Sequence, residues 1–521
     1  MCQYFLLVVD GETLSIPDSF DFDVASWEVG TFRDCSALSE ALQPFGGFPS
    51  TLFVREEMKE VWSILLDGLI NKSKWVLVGS PGVGKSILAV LLSFHIAKNF
   101  KKPVFLARLT KGLNGETAGE KAICISPGGV AEGYPKLPDD VIDLRGLRQT
   151  FGRANPDSSR VIVVLDGWAQ SEIVGDIKKG FNGFDLLASS AQYASKSDDP
   201  HQLVLLPAWK SQDLTVLWEN YEAKDTSVTF EEQLYYSGGS VRDLYRPLEV
   251  VRNRIDANME GITEETCKAL LAQYGGSSGS GMDRLRRCYV IGKGPKSYLK
   301  VREWSYVVDS GYALNRISAK APLDVYLRSL NVAQGCGQSH YGWAFEAFVH
   351  QLFRVSNIIV TLHMKGYTRP GTSSDAFVNI RFDKNMIVDC FGTCEEDVYE
   401  YLRTRTIDEE RASYWHPDYP LFPAIDGIVY LPKIKTVFYL NMSVAEKFKN
   451  VDSGNLLKVH EKVKESVNRI FGCTTDWNFG YIVIEPSLES SDALEVKLDG
   501  KLLLAKNVGE VTISKGYVTY V

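Results

Sequence analysis

No stretch of this chain stays apolar for long enough to cross a membrane. The longest apolar run near the start, Tyr4–Val9, has no basic residue before it and Asp10 directly after it. It is too short and wrongly flanked for a secretory core, so no ordinary export signal is expected. It reads instead as the first strand of a hairpin turning at Asp10-Gly11. An excess of basic charge is also missing, since 57 Lys and Arg against 65 Asp and Glu leave a net charge of −8. That excludes a nucleic-acid coat over the whole chain, though not a local basic surface. Nine cysteines are scattered through the sequence; only Cys390 and Cys394 are close, and no second Cys/His pair stands at zinc-like spacing. The thiols therefore read as buried and reduced, in preference to a zinc site or a disulfide framework.

The chain's 521 residues are enough to bury more than one core, so two or three domains are expected. The most informative stretch is Trp75–Ala97. Trp75-Val-Leu-Val78 is a short apolar run that reads as a buried strand. Gly79-Ser80-Pro81-Gly82-Val83-Gly84-Lys85-Ser86 then fits G-x-x-x-x-G-K-[ST] without a gap, and Ser86–Ala97 has the Leu, Ile and Ala content of a buried helix. A phosphate-binding loop needs each of these parts. Glycines let backbone N–H groups turn around the phosphates, and the helix N-terminus adds partial positive charge. Lys85 would reach the β- and γ-phosphates of ATP, and the Ser86 hydroxyl would take a place on Mg²⁺.

The surrounding pattern extends this reading. Residues 1–50 form a small N-terminal segment with a short helix at Ser36–Leu42, and Pro44-Phe-Gly-Gly-Phe-Pro49 is turn chemistry at its boundary. Leu52–Asp67 has helical periodicity. Pro103–Ala107 is a second strand, and the polar, Gly-rich stretch from 109 to about 140 reads as an insertion of uncertain structure. Val161-Ile-Val-Val-Leu165-Asp166 reads as a Walker B strand whose carboxylate orients a Mg²⁺-bound water. Phe184–Ala188, followed by Ser189 and Ser190, and Leu203–Leu206 are further strands, and helical patterns follow at 211–222 and 228–237. Alternation of this kind implies a parallel sheet with covered faces. Gly238-Gly-Ser-Val-Arg242 looks like the start of a lid helix in additional-strand ATPases, in which an arginine here reports on the γ-phosphate; a surface arginine is the plainer alternative. The glutamate that commonly follows the Walker B aspartate is absent, because Gly167 and Trp168 stand there. Either Glu172 substitutes for it or hydrolysis is slow.

Gly275–Gly281 has the composition of a flexible linker. Arg284–Arg287 and Lys293–Lys296 are locally basic, a solvated face by default and otherwise a nucleic-acid contact. From about 338 the character changes. Tyr341–Phe353 is an amphipathic helix carrying Glu346, Asn357–His363 is a strand, and Pro423–Tyr430 is a strand beginning with Asp426. Val437–Val444 follows, then a helix over 454–471 and a strand at Tyr481–Glu485. Helix, strand, strand, strand, helix, strand is the core order of restriction-endonuclease-like nucleases. There, a helix carboxylate and a strand aspartate surround a divalent metal, and the next strand supplies an acid and a lysine in E-x-K spacing. Glu346 and Asp426 fit the first two roles. Asn441-Met-Ser443 occupies the third, without the acid or the lysine, and Glu446 and Lys447, one turn on, are the candidates to take those two roles, with Lys447 as the catalytic lysine. A core strand pair with an incidental aspartate is the alternative.

Taken together, LFVREE, WVLVGSPGVGKS, VIVVLDG, GGSVRDL and FPAIDGIVY with FYLNMSV resemble the Crinkler effectors of oomycetes and fungi. They are equally similar to the retrotransposon-hot-spot proteins of trypanosomes. The resemblance covers residues from about 50 to 485. It implies an α/β chain with an additional-strand P-loop NTPase of AAA or STAND type and a helical lid over 51–274. A linker and connecting region at 275–337 would follow, then a restriction-endonuclease-like domain of PD-(D/E)XK type at 338–521. It also implies ATP and Mg²⁺ as cofactors, a metal held by Glu346 and Asp426, and DNA or chromatin as partner. Action in a nucleus, commonly a host's, and toxicity to the cell are implied as well, with host nuclear proteins and a homo-oligomer as further partners. In that family the third nuclease motif often reads Gln-x-Thr, which Asn441 and Ser443 resemble as smaller relatives. The Leu-rich L-x-L-F-L-A-K motif found near the start of Crinklers is not in residues 1–50, so the trypanosome-like or intracellular reading stays open. Two functions follow as expectations: a nucleotide-gated, metal-dependent DNA nuclease, or an ATP-driven switch whose inactive nuclease fold binds DNA or chromatin proteins.

Overall fold

The computed structural model describes residues 12–111, 117–135, 144–156, 160–168, 170–173, 183–190, 193, 200–222, 224–271, 282–318, 320–335, 337–354, 358–366, 375–382, 387–392, 394–419, 422–472, 474–502 and 507–520. The hairpin expected at residues 4–11 and the linker at 275–281 lie outside them. The chain divides into two units, one of residues 1–224, 239–246 and 274–307, the other of residues 225–238, 247–273 and 308–521. Both are α/β, and among the described residues no helix is long and apolar enough to cross a membrane.

In the first unit, β1 (Glu12–Thr13) and α1 (Ser36–Leu42) belong to the N-terminal segment. Next come α2 (Glu56–Ile70), β2 (Lys74–Val78), α3 (Lys85–Asn99) and β3 (Val104–Lys111). They are followed by β4 (Thr117–Ile125), β5 (Ala131–Tyr134), α4 (Leu144–Ala154), β6 (Ile162–Asp166), β7 (Leu186–Ala188) and β8 (His201–Leu205). The sheet order is β1-β5-β4-β3-β6-β7-β2-β8. Strands β3, β6, β7, β2 and β8 are parallel, while β4, β5 and β1 add an antiparallel edge.

A parallel strand covered on both faces needs apolar residues at successive positions. In β2, Trp75 and Leu77 join Trp62, Leu65 and Leu92 on one face, and Val76 and Val78 join Phe105, Leu147 and Val163 on the other. Helix α3 is buried continuously from Leu88 to Ala97, which explains why its sequence lacks a polar stripe. The stretch read as an insertion supplies β4 and β5, whose buried residues, among those described, are Ala122–Ile125 and Ala131, Gly133 and Tyr134. The basic run at 284–287 is only partly a solvated face. Arg286 and Arg287 are buried, with Arg286 over the Tyr306 ring and Arg287 Nη2 3.6 Å from Asp243.

The second unit carries α5 (Gln338–Arg354), β9 (Ile358–Gly366), β10 (Asp375–Phe382), β11 (Ile387–Phe391) and α6 (Glu395–Thr404). After these come β12 (Ser413–Pro417), β13 (Gly427–Leu431), β14 (Thr436–Met442), β15 (Phe448–Val451), α7 (Ser453–Phe471), β16 (Asn478–Glu485) and β17 (Val511–Tyr520). Its main sheet runs β10-β9-β17-β16-β14-β13-β12-β11. Strand β13 is antiparallel to both neighbours, and β16 is parallel to β14. The expected strand at 357–363 is present as β9, but it lies between β10 and β17, and the neighbour of β13 is β12, which the sequence did not mark. Helix α7 buries Leu456, Val459, His460, Val463 and Val467, a stripe at helical spacing that packs on Tyr439, Tyr481 and Val483. Asp452 caps its start by accepting from the Asn455 N–H, and Gly472 in the left-handed region ends it.

Candidate functional site

The loop Gly79–Ser86 joins the end of β2 to α3. Gly84, at φ +101°, makes the left-handed turn into the helix. Four loop carbonyls are tied to side chains. Lys85 Nζ donates to Gly79 at 2.7 Å and to Ser80 at 2.9 Å. Trp209 Nε1 donates to Gly82 at 3.3 Å, and Arg55 Nη2 to Val83 at 2.8 Å. In a trans peptide the N–H points opposite to the carbonyl, so the N–H groups of Val83 and Gly84 face away from Trp209 and Arg55. The Ser80 hydroxyl is anchored in turn by the Cys288 N–H at 2.9 Å. Arg55 is buried, bonds Pro207 at 2.9 Å and stacks 4.6 Å from the Trp209 ring centroid. The sequence did not single it out, because its partners are backbone carbonyls far along the chain.

Two strands away, Asp166 ends β6. Ser86 Oγ donates to its Oδ1 at 2.8 Å, and Arg108 Nε lies 3.1 Å from its Oδ2. Arg242 belongs to a short helical turn, Val241–Leu244, that rests on the loop: a Cβ at Gly82 would lie 3.2 Å from Ser240 Oγ and 3.5 Å from Arg242. Ser189 follows β7 and is buried, its hydroxyl donating to the Trp168 carbonyl at 3.1 Å. The missing glutamate after Asp166 has a steric reason. Gly167 sits at φ +94°, and a Cβ there would stand 2.3 Å from the Leu109 carbonyl oxygen. No other residue fits that position. The side chain of Glu172 lies outside the described residues.

In the second unit, Asp426 immediately precedes β13. Its N–H donates to Leu440 at 2.8 Å, and its Oδ2 accepts from the Met442 N–H at 2.6 Å. This sets it against the end of β14, where Asn441 and Ser443 are buried. Glu485, at the end of β16, follows Ile484, whose carbonyl accepts from the Ser443 N–H at 2.8 Å. Asn441 Oδ1 and Glu485 Oε1 are buried with no hydrogen-bond partner among the described residues. Each such atom costs about 1–3 kcal/mol, a cost that a polar ligand reaching it would relieve.

Burial pushes Glu346 up to about 7, with the Lys449 charge opposing. Asp426 is also pushed up to about 7, by burial first and then by the Glu346 charge, against Lys449 and the Met442 N–H. Glu485 rises to about 7 through burial, offset in part by the Ser443 hydroxyl and by Lys449 and Lys515. The cation these three acids share is thus Lys449, on β15. Glu446 and Lys447 are exposed, and neither contributes to those shifts.

His350, one turn after Glu346, is buried and pushed down to about 3 by desolvation, then by Arg354. The ring is therefore neutral. We assign Nε2–H as donor to Glu346 Oε1 at 3.3 Å, and Nδ1 as acceptor from the Tyr414 hydroxyl. Among the described residues, no three of His, Cys, Asp and Glu are grouped to hold a metal ion. Glu346, Asp426 and the Asn441 carbonyl are nevertheless oxygen donors of the kind Mg²⁺ takes alongside water. Comparison with protein-family models and with curated proteins returns no match to this chain.

Proposed function

We propose that the first unit binds ATP with Mg²⁺ through Gly79–Ser86, Asp166 and Arg242. The observation that carries this reading is the 2.8 Å bond from Ser86 to Asp166, across 80 residues of sequence. A hydroxyl beside a carboxylate, at the N-terminus of a helix whose lysine lies in the loop, is a donor set suited to a cation and the phosphates it accompanies. Bound there, Mg²⁺ supplies charge neutralisation for the phosphates. The position of β7 between β6 and β2 supports the additional-strand type. With glycine required at 167, turnover is slow, and ATP serves as a switching ligand. ATP titration into the wild type, Lys85→Ala and Asp166→Asn tests this. Lys85→Ala should lose about a hundredfold or more in affinity; undiminished binding would refute the site.

The second unit, in this proposal, is a restriction-endonuclease-like module that acts on DNA under control of the nucleotide state. Its favouring feature is that the Lys449 charge opposes the upward pKa shifts of Glu346, Asp426 and Glu485, which offers a cation where Ser443 lacks one. Control needs only chain connectivity, because residues 239–246, which carry Arg242, continue at both ends into segments of the second unit. The second reading is a switch whose nuclease fold binds DNA or chromatin without cutting, and Asn441 and Ser443 favour it. A nucleus as site of action, host nuclear proteins as partners, cytotoxicity and self-association rest on the resemblance alone. Supercoiled-plasmid cleavage with Mg²⁺ or Mn²⁺, with and without ATP, separates the readings. Cleavage lost in Asp426→Ala and altered in Lys85→Ala supports the gated nuclease. DNA binding without cleavage supports the switch, and no DNA binding removes both.

A further inference from the structure

Arg108 stands opposite Asp166 in the parallel register of β3 and β6. While Nε holds Asp166 Oδ2, Nη1 donates to the carbonyls of Phe45 at 2.9 Å and Gly47 at 3.4 Å. Both charged side chains are buried. The Phe45–Gly47 turn of the N-terminal segment is fitted to this guanidinium. Gly46 sits at φ +98°, and a Cβ there would meet Thr110 Cγ2 at 2.7 Å and the Arg108 guanidinium carbon at 3.7 Å. Asp166 thus has one oxygen engaged by Ser86 and the other by an arginine that also clamps this turn. In the nucleotide reading, the divalent cation needs this same carboxylate.

We propose that Arg108 competes with the nucleotide's divalent cation for Asp166, and that the Phe45–Gly47 turn loosens when the cation wins. The proposal rests on the nucleotide-binding reading above. A buried guanidinium neutralises the carboxylate and repels a second cation, so it opposes the contribution of Mg²⁺ to binding. Linkage makes the effect reciprocal: whatever frees the turn from Arg108 strengthens the Mg²⁺ response, and Mg²⁺ with ATP frees the turn.

The experiment uses the full chain as wild type, Arg108→Gln and Arg108→Lys. ATP affinity is measured by calorimetry with Mg²⁺ and with EDTA, and backbone hydrogen exchange is followed across residues 43–48. In the wild type Mg²⁺ should tighten ATP binding only modestly, and exchange at 43–48 should rise when Mg²⁺ and ATP are added together. In Arg108→Gln the Mg²⁺ gain should be larger by about tenfold, with fast exchange before any ligand is added. Arg108→Lys keeps the charge but loses the fork that spans Asp166 and Phe45. With the turn no longer held, it should exchange fast before any ligand is added and show a Mg²⁺ gain above that of the wild type, and it carries the test if Arg108→Gln fails to fold. ATP binding with the same Mg²⁺ gain in every folded variant overturns the competition and leaves the nucleotide site standing. Exchange at 43–48 that ignores Mg²⁺ and ATP in the wild type also overturns it. Absence of ATP binding in the wild type overturns both.

Discussion

Glu485 should hold its proton close to neutrality, and the second unit should lose stability as that proton leaves. The residue is 1% exposed, its Oε1 lacks a hydrogen-bond partner among the described residues, and desolvation outweighs the help of Ser443, Lys449 and Lys515. Its pKa is therefore raised from 4.5 to about 7. For an acid raised on folding, the native state binds the proton more tightly than the unfolded chain. That contribution is fully present below pH 4.5 and is lost as pH rises to about 7. Across this window it amounts to about 3 kcal/mol.

Glu485→Gln removes the titration while keeping the shape and a bond to Ser443. Glu346 and Asp426, also raised, remain in both proteins and cancel in the comparison. The assay is urea unfolding of the full chain at pH 5 and pH 8, following the transition that the substitution shifts. At pH 5 the two proteins should agree within about 1 kcal/mol, and at pH 8 the variant should be the more stable by up to about 3 kcal/mol. Parallel behaviour of the two proteins across that range would refute the reasoning. It would mean that Lys449 and Lys515 hold the carboxylate charged.

Five other substitutions test the remaining geometry. Arg55→Met leaves the Val83 and Pro207 carbonyls without their buried donor; thermal unfolding should show a loss of about 3 kcal/mol, and ATP affinity should fall with it. Gly167→Ala forces a Cβ onto the Leu109 carbonyl at positive φ, and denaturation should reveal a cost of about 2–4 kcal/mol. Gly167→Glu should destabilise similarly and, in a turnover assay, should not raise ATP hydrolysis. If the second unit cleaves DNA, Lys449→Ala should slow plasmid nicking by about a hundredfold or more. Exposed Lys447→Ala should stay within about twofold of wild type.

How far each feature could be read from the sequence depends on how local its cause is. The loop Gly79–Ser86 is local: eight consecutive residues, a strand before and a helix after, all visible in one window. Asp166 was readable because a run of buried apolar residues ends in an acid. Its partnership with Ser86 was then a matter of strand order. Arg55 and Arg108 were not readable. Arg55 meets the carbonyls of Val83 and Pro207, which carry no residue identity, and Arg108 meets Asp166 and the Phe45 carbonyl only once β3 pairs with β6. Strand β12 was passed over because Ser413–Pro417 is five residues long and ends in His and Pro, although it pairs directly with β13 and joins it to β11.

Asp426 and Lys449 show the same limit within the candidate site. Asp426 opens an apolar strand and could be seen; Lys449 could not, because the expected pattern counts residues along a single strand. That count ends at Ser443. The field around Glu346 and Asp426 instead depends on distance, and a strand that leaves the sheet can meet the same need. β15 belongs to a separate three-stranded sheet, paired with residues 495–498, and from there Lys449 acts on all three acids. A lysine displaced along the sequence is therefore no evidence against a site. Its absence from the site's electrostatics would be.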